Sequence, residues 1–306
     1  MIAPIGFYAH DDEPLSRAVR RIVGEQIALA LGAVRANPDD PELLEAGVHE
    51  ARRTFKKIRA ALRLVRHGMA AGTFQRENRF FRDAGRALSP LRDADVLVAT
   101  AGPLGRLPGE EGPVPVRVLR RRLLERRTRL RAGLPADGAP VRLAPSLEAA
   151  ARRAARWRIS GPEEDVALGG LHTAYERGRA AMVEAYHSGA HGHRFHDWRK
   201  RAKDLRYQLE LLRGLWPQVQ AAVASEMHRL TDFLGTANDF QVMATTLRRE
   251  PDLVRGLRDP LALERRARFH RDRLAAEARP LGERLYAEAP ETFRERHQAL
   301  WSAWRR

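Results

Sequence analysis

Two stretches of the chain combine histidine, arginine and lysine at helical spacing: His49-x-x-Arg52-Arg53-x-x-Lys56-Lys57-x-Arg59-x-x-Leu62 and, 147 positions further on, His196-x-x-Arg199-Lys200-x-x-Lys203-x-x-Arg206-Tyr207-x-Leu209. Cations placed every third or fourth residue share one face of a helix. Such a face can hold a multiply charged anion through ionic hydrogen bonds, with Arg gripping oxygen pairs and Lys acting as a point donor.

The helix that carries each motif must bury its other side. Ala51, Phe55, Ile58, Leu62 and Val65 lie behind the first cationic stripe, and Trp198, Ala202, Leu205, Leu209 and Leu212 behind the second. A merely solvated face mixes signs through acid–base pairs one turn apart. These stripes set cation after cation, which repel unless water, salt or a polyanion covers them, and the arrangement occurs twice. Lysine usage points the same way. Of 55 Lys and Arg residues, only Lys56, Lys57, Lys200 and Lys203 are lysine, and all lie in the two motifs. Compact ammonium groups between guanidinium forks suit phosphate oxygens.

A net charge of +16 over 306 residues implies an acidic partner: a phosphate polymer, nucleic acid or an anionic surface. A hydrophobic share of 43% suffices for a core and argues against disorder, while few aromatics and many charges favour helices. The absence of cysteine excludes disulfides, thiol catalysis and Cys-based metal sites. Met1 to Phe7 lacks the pattern of a signal peptide, and no stretch approaches the roughly 18 apolar residues of a membrane span. A soluble cytoplasmic protein is the expectation.

The periodicity predicts an all-α chain. A first helix runs from Pro14 to about Arg35, and a second, carrying the first motif, from Pro41 to about His67. A third, Thr73 to Leu88, sets Gln75, Arg79, Arg82 and Arg86 against Phe74, Phe81, Ala84 and Leu88. Ser89-Pro90 ends it, a short helix follows from Leu91, Gly102 to Gly112 reads as a loop, and Val114 to Arg131 as an Arg-dense helix. Gly133 to Pro140 reads as a linker, dividing the chain into halves at 1–135 and 146–306 with a linker at 136–145. Helices from Ser146 to Trp157 and Glu163 to His187 precede the second motif helix, which runs to about Leu212. Further helices run to Leu234, from Leu261 to Ala287 and from Pro290 to Trp304. Leu88 to Val96 aligns with Leu234 to Val242 at nearly the same offset as the motifs, so the internal repeat extends beyond one helix. Asp93 and Asp239, equivalent in that alignment, read as helix caps or arginine partners.

Other chemistries find less support. His187, His191, His193 and His196 fall within ten residues, but no acid completes a metal-binding pattern and Gly189 and Gly192 interrupt the segment, which reads as a linker; no metal site and no cofactor are expected. Phosphoanhydride hydrolysis needs carboxylates that hold divalent metals, and Glu50 and Asp197 stand isolated at the ends of cationic stripes. No catalytic residues are assigned, and a non-enzyme is expected.

The doubled motif resembles the CHAD domain, the conserved histidine α-helical domain, over most of the chain. The resemblance implies two four-helix-bundle halves related by pseudo-twofold symmetry, sharing a basic groove that binds inorganic polyphosphate. Members are often fused to a CYTH triphosphatase-type domain, whose acidic motifs this sequence lacks, so it looks like a free-standing binding module, cytoplasmic and associated with polyphosphate granules. The expected polyphosphate-binding residues are His49, Arg52, Arg53, Lys56, Arg59, Arg63, His196, Arg199, Lys200, Lys203 and Arg206. Lys57, about 80° round the helix, Arg79, Arg82, Arg86, Tyr207 and His228 complete the set. His49 and His196 head their stripes and donate from both nitrogens when protonated, so binding should strengthen below neutral pH.

Two alternatives remain open. A general polyanion or nucleic-acid binder would use the same charge, although single-strand binding usually sets aromatics along the groove and only Tyr207 lies on these faces; weak nonspecific nucleic-acid binding is expected in any case. A metal-dependent polyphosphate-processing enzyme would differ by releasing phosphate.

Overall fold

The computed structural model describes residues 6–35, 41–105, 116–132, 139–187, 192–257 and 259–305. Among them the fold is all-α, as the periodicity predicts. Eleven helices follow one another: α1 Leu15–Arg35, α2 Pro41–Leu64, α3 Ala71–Ala87, α4 Ser89–Leu104, α5 Val116–Ala132, α6 Ala139–Ala154, α7 Glu163–Tyr186, α8 Gly192–Leu211, α9 Pro217–Arg249, α10 Ala262–Leu285 and α11 Pro290–Trp304. Prolines open α4, α9 and α11, where a missing N–H costs nothing. Glu163, Glu164 and Asp165 fill the first turn of α7. Glu163 also accepts from the backbone N–H of Leu15 at 2.8 Å, capping α1 from a distant part of the chain.

Apolar side chains gather in two cores. The larger is built from α1, α2, α3, α6, α7 and α8, the first half of α9, the end of α10 and α11, around Trp198, Tyr175, Tyr286, Phe55 and Phe81. The smaller unites α4, α5, the second half of α9 and the start of α10 around Leu97, Leu119, Leu123, Phe240, Met243 and Leu263. The apolar sides expected of the motif helices are buried: Phe55, Ile58 and Leu62 on α2, and Trp198, Ala202 and Leu205 on α8, all have 1% exposure or less.

Three expectations about elements need correction. The helix expected to end at Leu234 continues as α9 to Arg249, 33 residues in one piece. Its counterpart breaks between α3 and α4 at Leu88, because Pro90 cannot donate and its ring clashes one turn back; Thr236, at the equivalent place, can, and Gly235 costs a helix only about 1 kcal/mol. The helix expected at Ser146 starts at Ala139, so residues 139–145 are helical rather than a linker, while 136–138 lie outside the described residues. That helix packs on α1 of the first half, where Leu147, Ala150 and Ala154 are buried. Glu77, fully buried on α3, fastens it by accepting two bonds from Arg153 at 3.0 and 3.1 Å. The loop expected from Gly102 begins later, as α4 runs to Leu104; residues 106–115 lie outside the described residues.

The end of α2 and the first half of α7 touch backbone to backbone. A Cβ on Gly170 would stand 2.0 Å from the carbonyl oxygen of Leu64, against 3.3 Å between one on Gly169 and the ring of His67. Gly170→Ala therefore forces the helices apart, with an expected loss of about 1–3 kcal/mol and a melting temperature lower by roughly 2–10 °C. Thermal melts beside Gly169→Ala check this; equal effects of the two would contradict it.

Candidate functional site

α2 and α8 cross near Ala60, where Gln208, fully buried, donates to the Ala60 carbonyl oxygen at 3.4 Å. A small residue at the crossing lets the helices approach closely. Their cationic faces turn towards α4 and α9, placing a charged layer between the two cores. Arg52 and Lys56 from α2 meet Arg199 and Lys203 from α8 in this layer, all four half-buried. They are close enough for each helix to act on the other. Lys56 is lowered to about 8 by burial first, then by Arg199, Arg52 and Arg92, with Asp239 opposing. Lys203 is lowered to about 7 by burial, then Arg199, Lys56 and Arg206, with Asp232 opposing. Among the described residues, no carboxylate comes within 4.0 Å of Lys56, Lys203 or Arg199, so this charge is left uncompensated at contact range.

The two arginines at the centre are held differently. Arg52 donates to the Gly85 carbonyl oxygen at 2.6 Å and to the Ser89 hydroxyl, both at the α3–α4 break. At the equivalent of Ser89 stands Gly235, which offers no side chain. Arg199 Nε would lie only 3.5 Å from a Cβ there and is buried without a hydrogen-bond partner. Burial lowers both guanidinium groups. A buried donor without a partner carries a desolvation penalty of about 1–3 kcal/mol until a ligand relieves it.

The histidines differ for a similar reason. His196 Nδ1 lies 2.6 Å from Asn238 Oδ1, which can only accept, so Nδ1 carries the proton and Nε2 is left for other partners. His49 faces Arg92, the repeat equivalent of Asn238. Both imidazoles are held below their ordinary value: His49 by burial, Arg92, Lys56 and Arg53, and His196 by burial and Lys200 against its bond to Asn238.

Several expected residues lie elsewhere or are already paired. Arg53 binds Glu50 through two bonds of 2.8 and 2.9 Å, and Lys200 binds Asp197 at 3.0 Å, both pairs on the rim. His228 pairs with Asp232 at 2.9 Å on the exposed side of α9. Arg82 and Arg86 share Asp83, and Arg79 lines a separate shallow groove of about 530 Å³ with Arg76, Phe80 and Leu143. Arg59 donates to Asn78 at 3.0 Å and is lowered to about 10 by burial and then Arg63. Arg63 is ion-paired with Asp204 at 2.6 Å.

Lys57 lies over the Phe7 ring at 4.7 Å, on the far side of the crossing, and faces Glu210. Arg206 and Tyr207 are largely enclosed: Tyr207 is 3% exposed, edge-on to Phe7, and carries the Arg206 guanidinium over its ring at 4.5 Å. Tyr207 is thus a core residue beneath the layer and no platform for a ligand, because the helix crossing covers the face that a lone helix would expose.

Sequence reasoning missed the opposite wall of the layer. Arg92 and Asp93 on α4, with Asn238 and Asp239 on α9, face the motif helices. Asp93 is raised by burial against the pull of Arg52, Arg92 and Arg126, and Asp239 by burial against Arg199 and others. Of the two roles expected of these acids, neither caps a helix, as both sit inside one, while each faces a motif arginine, Asp93 with Arg52 and Asp239 with Arg199. The repeat of Leu88–Val96 as Leu234–Val242 was the available signal. The histidine-rich segment falls partly on residues 188–191, outside the described residues. Among the described residues, no three His, Cys, Asp or Glu side chains group as metal ligands, and no helix is long and apolar enough to cross a membrane.

The family model described as the CHAD domain matches residues 25–248. No curated protein matches the chain. Among solved structures, the crystal structure of the CHAD domain from the plant Ricinus communis is similar, with a TM-score of 0.62 and 20% identity, covering 95% of this chain and 99% of that one.

Proposed function

The chain belongs to the CHAD domain family, and from that premise we propose that it binds inorganic polyphosphate, without catalysis, in the half-buried layer around Lys56, Arg199 and Lys203. One observation carries the reading: cations from both motif helices converge where the described residues supply no contacting carboxylate. A polyphosphate chain carries charge on every phosphate and no bases, so ionic hydrogen bonds and counterion release must supply its affinity. An unpartnered guanidinium Nε and two crowded ammonium groups gain most from such a ligand. Polyphosphate granules in the cytoplasm are the proposed place of encounter.

The test is a competition titration at one near-physiological salt concentration, with labelled long-chain polyphosphate displaced by orthophosphate, ATP, single-stranded DNA and duplex DNA. If about eight phosphates are neutralised, log K against log salt has a slope near −6. Displacement by DNA as readily as by polyphosphate would reduce the site to a general polyanion surface, and phosphate release on adding Mg²⁺ or Mn²⁺ would make the protein an enzyme. Within the site, Arg199→Ala is expected to lower affinity about tenfold or more with no loss of melting temperature. Arg52→Ala should cost stability as well, since Gly85 and Ser89 lose their donor. Melts and titrations of the two variants side by side decide it.

A further inference from the structure

Beyond the crossing, the two ends of the motif helices are unequal. Contacts there are reciprocal in the repeat: Lys57 faces Glu210, while Asp204, the counterpart of Lys57, pairs with Arg63, the counterpart of Glu210. At the Lys57 end, charge is balanced, since Arg53 is bound to Glu50 and Arg206 pairs with Glu210 at 3.3 Å. At the Asp204 end it is not. Past Arg63, three packed elements each bring an arginine, Arg66 from the 3₁₀ turn Arg66–Gly68, Arg177 from α7 and Arg201 from α8, and Arg177 feels the charge of the other two.

None of these three has an ion pair among the described residues. Packing brings them together: the 3₁₀ turn lies against α7 beside Gly169, α7 lies along α8, and Arg66 rests over the Phe74 ring at 5.6 Å. Arg177 is held below its ordinary value by desolvation and then by Arg201, Arg66 and Arg63, with Glu176 opposing. Asp204, which acts on Arg201 and Arg177, is already engaged by Arg63, while Glu176 and Asp197 act on single members of the group without an ion pair to them. Guanidinium groups gathered this way repel and favour a shared anion. On α2, Arg52, Lys56, Arg59 and Arg63 lead from the central layer towards this cluster over a rise of about 16 Å, with Arg63 shared with Asp204 at the far end.

We propose that Arg66, Arg177 and Arg201 form a second anion subsite, reached in one direction only, so that a long polyphosphate runs from the central layer along α2 onto this cluster while a short one fills the centre alone. The proposal rests on the central layer being the primary site. It makes affinity dependent on chain length and gives the bound polymer a defined exit.

The experiment compares tripolyphosphate with long-chain polyphosphate on three forms of the full chain: unaltered, Arg66→Gln/Arg177→Gln/Arg201→Gln, and Lys56→Met/Lys203→Met. The triple variant is expected to bind long chains about tenfold more weakly, with a salt slope shallower by about 2, and tripolyphosphate within twofold of the unaltered protein. Arg177→Glu, a single exposed substitution, should reproduce the direction and guards against a folding defect. Unchanged long-chain affinity and slope in the triple variant, with binding lost in the lysine variant, would overturn the subsite and leave the central reading standing. No binding of either ligand by the unaltered protein would overturn both.

Discussion

Lys56→Met/Lys203→Met is expected to make the free protein more stable and nearly unable to bind polyphosphate. Both ammonium groups are half-buried among arginines, and the described residues offer neither a contacting carboxylate. Burying a charge without a partner is unfavourable, and Met matches the length of the Lys stem without the charge. After allowance for solvent screening, relief of about 1–3 kcal/mol should raise the melting temperature by several degrees. The same change removes two ionic hydrogen bonds to the ligand, each contributing about 1.5–3 kcal/mol, so affinity should fall on the order of a hundredfold or more. Thermal melts without ligand and titrations at one salt concentration measure the two effects. A variant that melts lower and binds as before would sink the reading of the layer as a site kept at the expense of stability.

Binding should also take up protons and weaken as pH rises through 7 to 9. In the free protein Lys56 and Lys203 titrate at about 8 and about 7. A polyanion favours the charged amines and pushes both upward, so near pH 8 the complex holds about one more proton than its separate parts. Affinity should then fall by on the order of a hundredfold between pH 7 and 9. The sign for stability is opposite. Because the folded amines lie below their unfolded value, the unfolded chain binds more protons in this window, and the free protein gains stability as pH rises. His49 and His196, both held low, extend the strengthening of binding below neutral. Calorimetry in two buffers of different ionisation enthalpy measures the uptake directly. A flat affinity from pH 7 to 9 with no buffer dependence would contradict it.

The helix class, the buried sides of α2 and α8 and the location of the cation-rich layer were legible because each depends on the period of a single helix. Which cations remain without an acid was not. Arg63 meets Asp204 and Lys57 meets Glu210 only because α2 crosses α8 at Ala60, and nothing in either stripe announces that crossing. Tyr207 was misread for the same reason, since a helical wheel has no neighbours. The continuity of α9 turned on one position, where Thr236 stands in place of Pro90. Arg92, Asp93, Asn238 and Asp239 were visible as a repeat, but their role depends on how α4 and α9 lie over the motif helices. The packing of α6 on α1 reflects tertiary contact that no cap or linker composition encodes.

The charged layer lies between the two cores, inside the fold rather than on its surface. The cations gathered in it repel one another, and in the proposed reading a bound polyphosphate would be their counter-ion, set between the two cores. Adding that ion completes the interior much as a metal completes a small metal-held domain. Bound polymer would thus act as a mineral-like filling of the fold as well as its cargo, and a loaded molecule would be the mechanically stiffer of the two.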